Sequence, residues 1–273
     1  MEATPGAASY MNRPMPRRAL AIVVLLAGCR DRDRDHSPFA QPDDPCAAQP
    51  TLIVTAMPSE LAPVLARMDV RGTVDHDIYG FTCGMFAGRS VALGAVGIGP
   101  VRASRGIASA LERFKPSAVV MVGIAGALGH DLRVGDVTVP AQWSRHDTDP
   151  QWFTVDAALL DRARAAQTKL DACDEVNVCA TAPKLAAGGN GVTGRQFIAD
   201  PAVGDELATR LGAVVTDMET ALVAQVAHDR GVPFVAVRAV SDLVWTGRSD
   251  EVEQRFGDLA AANAAAAAEA LLR

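Results

Sequence analysis

Three carboxylic acids follow apolar stretches that we interpret as strands: Glu60, Glu219 and Asp242. In open α/β sheets, ligands bind beyond the carboxyl ends of the strands, so these side chains are expected to meet at one edge of a sheet. Each acid alone could instead cap a neighbouring helix. Because the three stand apart from any His or Cys cluster, they indicate proton transfer, with one carboxylate as general base and another held protonated as general acid.

Two glycine-rich motifs come at the ends of predicted strands, GAVGIG at 94–99 and VGIAG at 122–126. Glycine lets the backbone approach a ligand closely. A dinucleotide site requires GxGxxG at the start of the helix in the first βαβ unit, with an acid further on for the ribose. GIG is followed by Pro100 and no such acid is present, so we predict no cofactor of this kind. The Cys and His spacing does not indicate zinc, and we predict no metal.

Predicted strands and helices that could position these residues alternate along the chain. Apolar runs predict strands at 51–56, 81–87, 90–96, 118–122, 134–139, 214–216 and 234–240. Helices are predicted at 60–68 with Ser59 as N-cap, from Pro100 to about 114, and at 156–169, 219–229 and 259–272. Apolar strands between helices indicate an α/β fold with a mostly parallel sheet covered on both faces. The least regular stretch, 148–190, is interpreted as an insertion or a lid.

Composition narrows the classes of partner. The 273 residues are 49% hydrophobic and 21% charged, close to the average of soluble globular proteins, which excludes a disordered or fibrous protein. There are 26 basic and 32 acidic residues, a formal net charge of −6. An acidic chain with 5% aromatic residues is a poor candidate for binding nucleic acid.

The sequence of the N-terminus predicts an export signal. Residues 19–28 read ALAIVVLLAG behind three arginines, too short a run to span a bilayer but typical of a bacterial signal peptide. The run ends in LAGC, which resembles a lipobox, so the resemblance implies lipidation of Cys29 after removal of residues 1–28. We therefore predict a cell-envelope protein, lipid-anchored and facing the periplasm. An ordinary signal peptide or a cytoplasmic protein with an unusual start stays open, as does a start at Met11.

A polar segment separates the predicted signal from the rest of the chain. Residues 30–50 read RDRDRDHSPFAQPDDPCAAQP, with almost nothing apolar to bury. We predict a disordered tether at 29–50 and one domain at 51–273.

Four further cysteines agree with export: Cys46, Cys83, Cys173 and Cys179. An even number in an oxidising compartment indicates two disulfides. Cys173 with Cys179 is the local choice, and Cys46 with Cys83 would then attach the end of the tether to the domain. Three pairings are possible, and unpaired thiols are the alternative.

Seven short motifs occur in the order AMPSE (56–60), GIG (97–99), VGIAG (122–126), LRVGD (132–136), TGRQFI (193–198), DMETA (217–221) and VRAVSD (237–242). Together they resemble the nucleoside phosphorylase/nucleosidase superfamily, closest to the 5′-methylthioadenosine/S-adenosylhomocysteine nucleosidase branch. The resemblance implies a three-layer α/β/α sandwich with a central twisted mixed sheet. It also implies hydrolysis of a purine nucleoside of the adenosine type and, commonly, a homodimer.

The resemblance also implies roles for single residues. Glu60 would activate the attacking water, and Asp242, supported by Ser241, would protonate N7 of the leaving purine. The implied substrate-binding residues are Ala125 and Gly126 on the pocket floor, Phe197 stacked on the base, Ile198 reading the base through its backbone, Met218 and Glu219 on the ribose, and Arg238 near Glu60 and the water.

Departures from the family pattern bear on the nucleophile. The branch has a serine where Ile124 stands, a second glycine where Ala127 stands and a glutamate where Asp217 stands. Without a hydroxyl at 124 or an arginine in the first loop, phosphate has no expected partner, which favours water. Trp245 is bulkier than the family residue and would pack against the core or against a 5′ substituent. A phosphate-dependent phosphorylase and a non-catalytic nucleoside-binding lipoprotein remain the alternatives.

Overall fold

The structure is a computed structural model that describes residues 44–46 and 48–273. The predicted signal peptide and Cys29 lie outside the described residues. The strands are β1 Thr51–Thr55, β2 Asp69–His76, β3 Tyr79–Phe86, β4 Arg89–Ala95, β5 Ala118–Ala127, β6 Val137–Val139, β7 Gln142–Arg145, β8 Phe153–Thr154, β9 Leu185–Ala187, β10 Asn190–Thr193, β11 Ala213–Asp217 and β12 Phe234–Leu243. The helices are α1 Pro58–Leu65, α2 Pro100–Phe114, α3 Ala157–Ala165, α4 Pro201–Leu211, α5 Thr220–Asp229 and α6 Ser249–Leu272, with a 3-10 turn at Val244–Thr246.

The long strand β5 organises a mixed sheet. It pairs in parallel with β1 along its first residues and with β12 along nearly its whole length, and antiparallel with β11 at its last residues. The main path of the sheet runs β2-β3-β4-β1-β5-β11-β10-β7-β8, and β12 leads off it to β6 and β9. Helix α6 contacts both α1 and α3, and α2 contacts α5. The predicted α/β fold with a mixed central sheet is confirmed.

The apolar runs become the buried centre of the sheet. Every residue of β1 and β12 is buried, and so are eight of the ten in β5, the half-buried ones being Ala118 and Ile124. Burial on both faces explains why these strands read as continuous rather than alternating hydrophobic runs. Among the described residues, no helix combines the length and apolar character needed to cross a bilayer.

Several element boundaries differ from the prediction. Helix α1 begins at Pro58 with Met57 as N-cap, not Ser59, because the fixed φ of proline suits the first helical position. Strand β2 was missed, since its sequence DVRGTVDH is polar and largely exposed. Helix α6 begins ten residues before the predicted start at 259. Strand β12 continues through Leu243, and its register with β5 shifts between Val240 and Asp242.

Two disulfides join Cys46 to Cys83 and Cys173 to Cys179, one of the three pairings that the sequence allowed. The first attaches the N-terminal segment to β3. Asp44 adds an ion pair with Arg113, at 2.6 Å. Contacts of this segment with the domain therefore begin inside the range predicted as tether.

The two disulfides are expected to contribute unequally to stability. They close sequence separations of 37 and 6 residues. On chain-entropy grounds, replacing Cys46 and Cys83 by alanine lowers the free energy of unfolding by about 4 kcal/mol, and replacing Cys173 and Cys179 by about 2 kcal/mol. Urea unfolding of the two double variants measures both losses. Equal losses would contradict this ordering.

Candidate active site

One fully buried arginine, Arg238 on β12, lies among three carboxylates. Its Nη2 is 2.6 Å from Asp217 Oδ2 and 3.7 Å from Glu219 Oε2, and its Nη1 is 3.5 Å from Glu60 Oε1. Its Nε donates to Thr220 Oγ1 at 2.9 Å. The side chain is therefore fully engaged, and three acidic groups share one positive charge.

Glu60 is held by the backbone around it. Its Oε2 accepts from the N–H groups of Ala56 (2.7 Å) and Met57 (3.2 Å), and its Oε1 accepts from Ile124 N–H at 2.9 Å. Burial raises the pKa of this carboxyl, although Arg238 and the three N–H donors oppose the rise. The bond from Met57 also caps the first turn of α1. Glu60 thus serves as a helix cap and faces the cavity as well.

The glycine at 123 makes room for this contact. A Cβ there would lie 2.2 Å from both Arg238 Nη1 and Glu60 Oε1. Any side chain on β5 at this point would occupy the space between the cation and its partner. The first glycine of the VGIAG motif is therefore required by the charge cluster rather than by direct contact with a ligand.

Glu219 stands at the N-cap of α5 and reaches across to the start of α2. Its Oε1 accepts from Gly99 N–H at 2.8 Å. Burial, chiefly, and then the nearby charges of Asp217 and Glu60 raise its pKa to about 7, against the lowering effect of Arg238 and the Gly99 bond. This carboxyl therefore gains or loses its proton near neutral pH.

Asp217 is bonded to Arg238, a role that was not predicted from the sequence. Its Oδ1 accepts from Thr193 Oγ1 at 2.5 Å, and its Oδ2 accepts from Arg238 and from the Thr220 hydroxyl. The signal available in the sequence was the hydroxyl residue three positions after Asp217, a spacing that lets a side chain bond back to the helix start.

Asp242 lies inside β12, where the register with β5 shifts. It is fully buried, and its Oδ1 accepts from Ser241 Oγ at 2.8 Å. Neither its Oδ2 nor the neighbouring Ser249 Oγ has a partner in good hydrogen-bond geometry among the described residues. Burial, chiefly, and then the charges of Glu253 and Asp250 raise the pKa of this carboxyl to about 6, against the lowering effect of the Ser241 and Ser249 hydroxyls. A buried polar atom without a partner is costly, which points to a ligand group that supplies one.

These groups line one cavity of about 240 Å³. Its walls are formed by Ala56, Met57, Glu60, Ile98, Ile124, Ala125, Gly126, Phe197, Thr216, Asp217, Met218, Glu219, Ser241, Asp242, Asp250, Glu253 and Gln254. The lining includes six acidic residues and no Lys, Arg or His. Phe197 and Ile198 also line a small adjoining recess that reaches Asp242.

The three predicted acids all line this cavity, but they occupy different positions relative to the strands. Glu60 follows a parallel strand, as expected. Glu219 follows β11, which runs antiparallel to β5, and Asp242 lies within its strand rather than after it. Arg238 stands behind the cavity wall, bonded to the acids that line it.

Of the residues that depart from the family pattern, some line the cavity and others lie outside it. Ile124 lines the cavity, whereas Ala127 is buried in the core. Trp245 is absent from the lining of this cavity and stacks on His130, with ring centroids 4.7 Å apart. Within residues 44–46 and 48–273, no group of three or more His, Cys, Asp or Glu side chains is arranged to hold a metal ion.

Comparison with known families shows to which family the chain belongs. The model of the phosphorylase superfamily matches residues 50–273, which is most of the chain. The protein therefore belongs to the phosphorylase superfamily.

Individual relatives show which members of the superfamily the chain is similar to. The 5′-methylthioadenosine/S-adenosylhomocysteine nucleosidase of Chromohalobacter salexigens is 32% identical over 236 residues, covering 81% of this chain and 95% of the relative. The crystal structure of the same-named enzyme of Neisseria meningitidis, in complex with methylthio-immucillin-A, is 26% identical with a TM-score of 0.71, covering 82% of this chain and 98% of that one. Futalosine hydrolase of Helicobacter pylori shares the fold, with 22% identity, a TM-score of 0.72, and coverage of 82% and 97%.

Stability is expected to fall as the pH rises from about 5 to about 8. The pKa of Glu219 is raised from 4.5 to about 7 in the folded chain, so between these values the folded state binds more protons than the unfolded state. Raising the pH through this window therefore favours unfolding, by roughly 2–3 kcal/mol for this group. Urea unfolding at several pH values measures the slope.

The variant Glu219→Gln has no proton to lose and should show a flatter pH dependence, with higher stability than the wild type at about pH 8. Glu251→Gln is the matched control, because Glu251 is exposed on α6 and pairs with Arg248. Identical slopes in the wild type and Glu219→Gln would contradict the raised pKa.

Proposed function

We propose that the protein hydrolyses the N-glycosidic bond of a purine nucleoside of the adenosine type and releases the free base. The observation that carries this proposal is one cavity that holds two buried carboxyl groups, both with a raised pKa, in different hydrogen-bond surroundings. Asp242 is buried, has a raised pKa and has a free Oδ2 among the described residues, whereas Glu60 is fixed by three backbone N–H donors. The named nucleosidase relatives support the same reaction class.

In the proposed mechanism Glu60 activates water. Its contact with Arg238 is long, at 3.5 Å, which leaves room on Oε1 for a water molecule. The water oxygen bonds to C1′ while its proton passes to Glu60. Because a carboxylate near C1′ also stabilises the positive charge that develops on the sugar, the same group helps in both ways.

Asp242 acts on the leaving base. As the bond between C1′ and N9 breaks, its electron pair moves into the purine, and Asp242 delivers a proton to N7. Burial keeps this carboxyl protonated further towards neutral pH than an ordinary aspartate, and Ser241 holds it through Oδ1. The unpaired Oδ2 is then the atom that meets the base.

The remaining lining residues hold the nucleoside. Glu219 and Met218 contact the ribose, with Glu219 accepting from its hydroxyls. Phe197 stacks on the base, and the recess that Phe197 shares with Ile198 holds the edge of the purine. Ala125 and Gly126 form the floor, where a Cβ at Gly126 would lie 3.0 Å from Asp242 Oδ2.

Water is favoured over phosphate by the charge of the cavity. An anion would enter a site lined by six acidic residues and no basic ones. Arg238, which stands behind the cavity wall, is already bonded to Asp217 and lies beside Glu60 and Glu219. A phosphorylase would need positive groups that face the substrate.

Base release should continue without phosphate and depend on both acids. Asp242→Asn and Glu60→Gln are each expected to lower kcat/KM by about 10²–10⁴-fold, as for loss of a general acid or base. Chromatography of the released purine measures the rate, with Glu251→Gln as control. Strict dependence on phosphate would indicate the phosphorylase alternative, and tight binding without release, unchanged in Glu60→Gln, would indicate a binding protein.

The pH dependence of kcat/KM also tests the role of Asp242 as the acid. Because Asp242 must be protonated to act, kcat/KM of the free enzyme should fall as the pH rises through about 6. This alkaline fall should disappear in Asp242→Asn, whose residual rate has no such group. A profile that keeps the fall in the variant would exclude Asp242 as the acid.

We also propose that the protein is a lipid-anchored, periplasm-facing homodimer. Two disulfides within the domain support an oxidising compartment. Ile98 and Phe197 line the cavity and are about half exposed, at 49% and 44%, so a second copy covering them would close the site.

The anchor depends on one cysteine. Cys29→Ser should remove labelling by a radioactive fatty acid and release the protein from the membrane fraction, because a lipobox signal modifies only the cysteine that follows it. Fractionation of cells that express the wild type and the variant measures both effects, with Cys173→Ser as a cysteine control. Membrane retention of unlabelled Cys29→Ser would contradict the lipoprotein proposal.

A further inference from the structure

The loop from residue 173 to residue 179 is closed by the disulfide between Cys173 and Cys179, and none of its residues lines the cavity. Within it the backbone of Glu175 is bonded on both sides. Its N–H donates to Cys179 Sγ at 3.3 Å, and its C=O accepts from Cys179 N–H at 2.9 Å. Cys179 is itself attached to the domain by a parallel bridge to Val134. This disulfide loop therefore holds Glu175 at a defined place on the domain.

The side chain of Glu175 contacts the start of α6. Its Oε2 is 2.5 Å from Arg255 Nη1, and its Oε1 is 3.7 Å from Arg248 Nη1. The two arginines are seven residues apart, which is two helical turns, so they lie on one face of the helix. A single exposed ion pair contributes little to stability. One carboxylate that joins two turns of a helix to a cross-linked loop nevertheless restricts where that helix can lie.

Burial holds the first two turns of α6 less firmly than the rest of the helix. Three of the eight residues in 249–256 are buried, against nine of the sixteen in 257–272. The N-cap residue of the helix, Arg248, makes no side-chain capping bond. The placement of these turns therefore depends more on contacts such as those with Glu175.

The opposite face of the same two turns belongs to the cavity. Asp250, Glu253 and Gln254 line it, and Asp250 and Glu253 project about half a turn away from the arginines. Ser249 is buried, and its hydroxyl lowers the pKa of the Asp242 carboxyl, whereas the charges of Glu253 and Asp250 raise it. The position of α6 therefore determines part of the surroundings of Asp242.

The other elements around Asp242 are fixed by their own bonds. On the same strand Ser241 donates to Oδ1, and β5 faces the carboxyl with Gly126, which has no side chain. Glu60 and Glu219 line the same cavity and accept from backbone N–H groups. Helix α6 is thus the element whose placement changes both the charge and the access of water around Asp242.

We propose that Glu175, held by the disulfide of Cys173 and Cys179, is a positioning residue that fixes the first two turns of α6 beside Asp242. This inference rests on the proposed nucleosidase function, in which Asp242 is the acid. Glu175 contacts neither the nucleoside nor the reacting atoms and acts through the helix. When the helix is released, water reaches Asp242 and the acids of α6 move away. The pKa of the Asp242 carboxyl then falls towards that of an ordinary aspartate.

The pH profile of kcat/KM for base release tests this role. In Glu175→Gln the midpoint of the alkaline fall should move from about 6 to a pH lower by about 0.5–1. The double variant Cys173→Ala with Cys179→Ala removes no charge and should move the midpoint in the same direction. Loss of folded protein alone would lower kcat/KM at every pH and leave the midpoint in place.

Glu251→Gln is the matched control. It also removes a carboxylate that pairs with Arg248, at 3.0 Å, but this pair lies within α6 and does not join the helix to the loop. The midpoint of this variant should equal that of the wild type. An equal displacement in Glu251→Gln and Glu175→Gln would mean that charge alone is responsible, and would overturn the proposal.

The remaining outcomes also decide the question. A midpoint that is unchanged, or moved to higher pH, in Glu175→Gln would overturn the positioning role. A midpoint that moves there but not in the double cysteine variant would remove the disulfide from the proposal. If the wild type releases no base, the proposed function fails, and hydrogen exchange tests the positioning separately. Amides of residues 249–256 should then exchange faster in Glu175→Gln than in Glu251→Gln, and equal exchange would contradict the inference.

Discussion

The site depends on one buried guanidinium shared by three carboxylates. Arg238 is fully buried, and removing such a cation from water is costly unless close anionic partners compensate. Its partners, Glu60, Asp217 and Glu219, come from the first turn of α1, from β11 and from the start of α5. The cluster therefore joins three separate parts of the fold around the cavity, and its geometry fixes where each acid points.

The imbalance of charge in this cluster sets the chemistry of the cavity. Three acids share one base in a buried place. Burial, helped by the charges of Asp217 and Glu60, raises the pKa of Glu219 to about 7, and burial also raises the pKa of Glu60. Arg238 is the counter-ion of these three acids and is therefore not available to bind an anionic ligand. A cavity of this kind attracts protons and cations and disfavours anions, so water is a better nucleophile there than phosphate.

Local sequence signals predicted the parts of the fold that are locally determined. Continuous apolar runs identified β1, β5 and β12, and Pro100 marked the start of α2. The polar strand β2 and the first ten residues of α6 were missed, because their conformation is set by neighbours in space rather than by periodicity. The same limit applies to the site.

The motif acids of the site could be found in the sequence, together with Arg238 and Ser241 in the same motifs, but the other acids of the cavity wall could not. Glu60, Glu219 and Asp242 stand in recognisable motifs, so their meeting at one cavity was expected. Asp250 and Glu253 lie in a stretch without a motif, and only the three-dimensional path of α6 brings them to the cavity wall. The need for Gly123 likewise depends on two side chains that are distant in sequence.

The wide sequence separation within the charge cluster has a consequence for how the chain folds. Glu60 and Arg238 are 178 residues apart, so their contact requires β1, with α1 after it, and β12 to pair with β5. A buried guanidinium needs close anionic partners to compensate for the water it loses. We therefore expect Arg238 to keep its hydration until these long-range contacts form, so that the cavity does not act as a nucleus for folding.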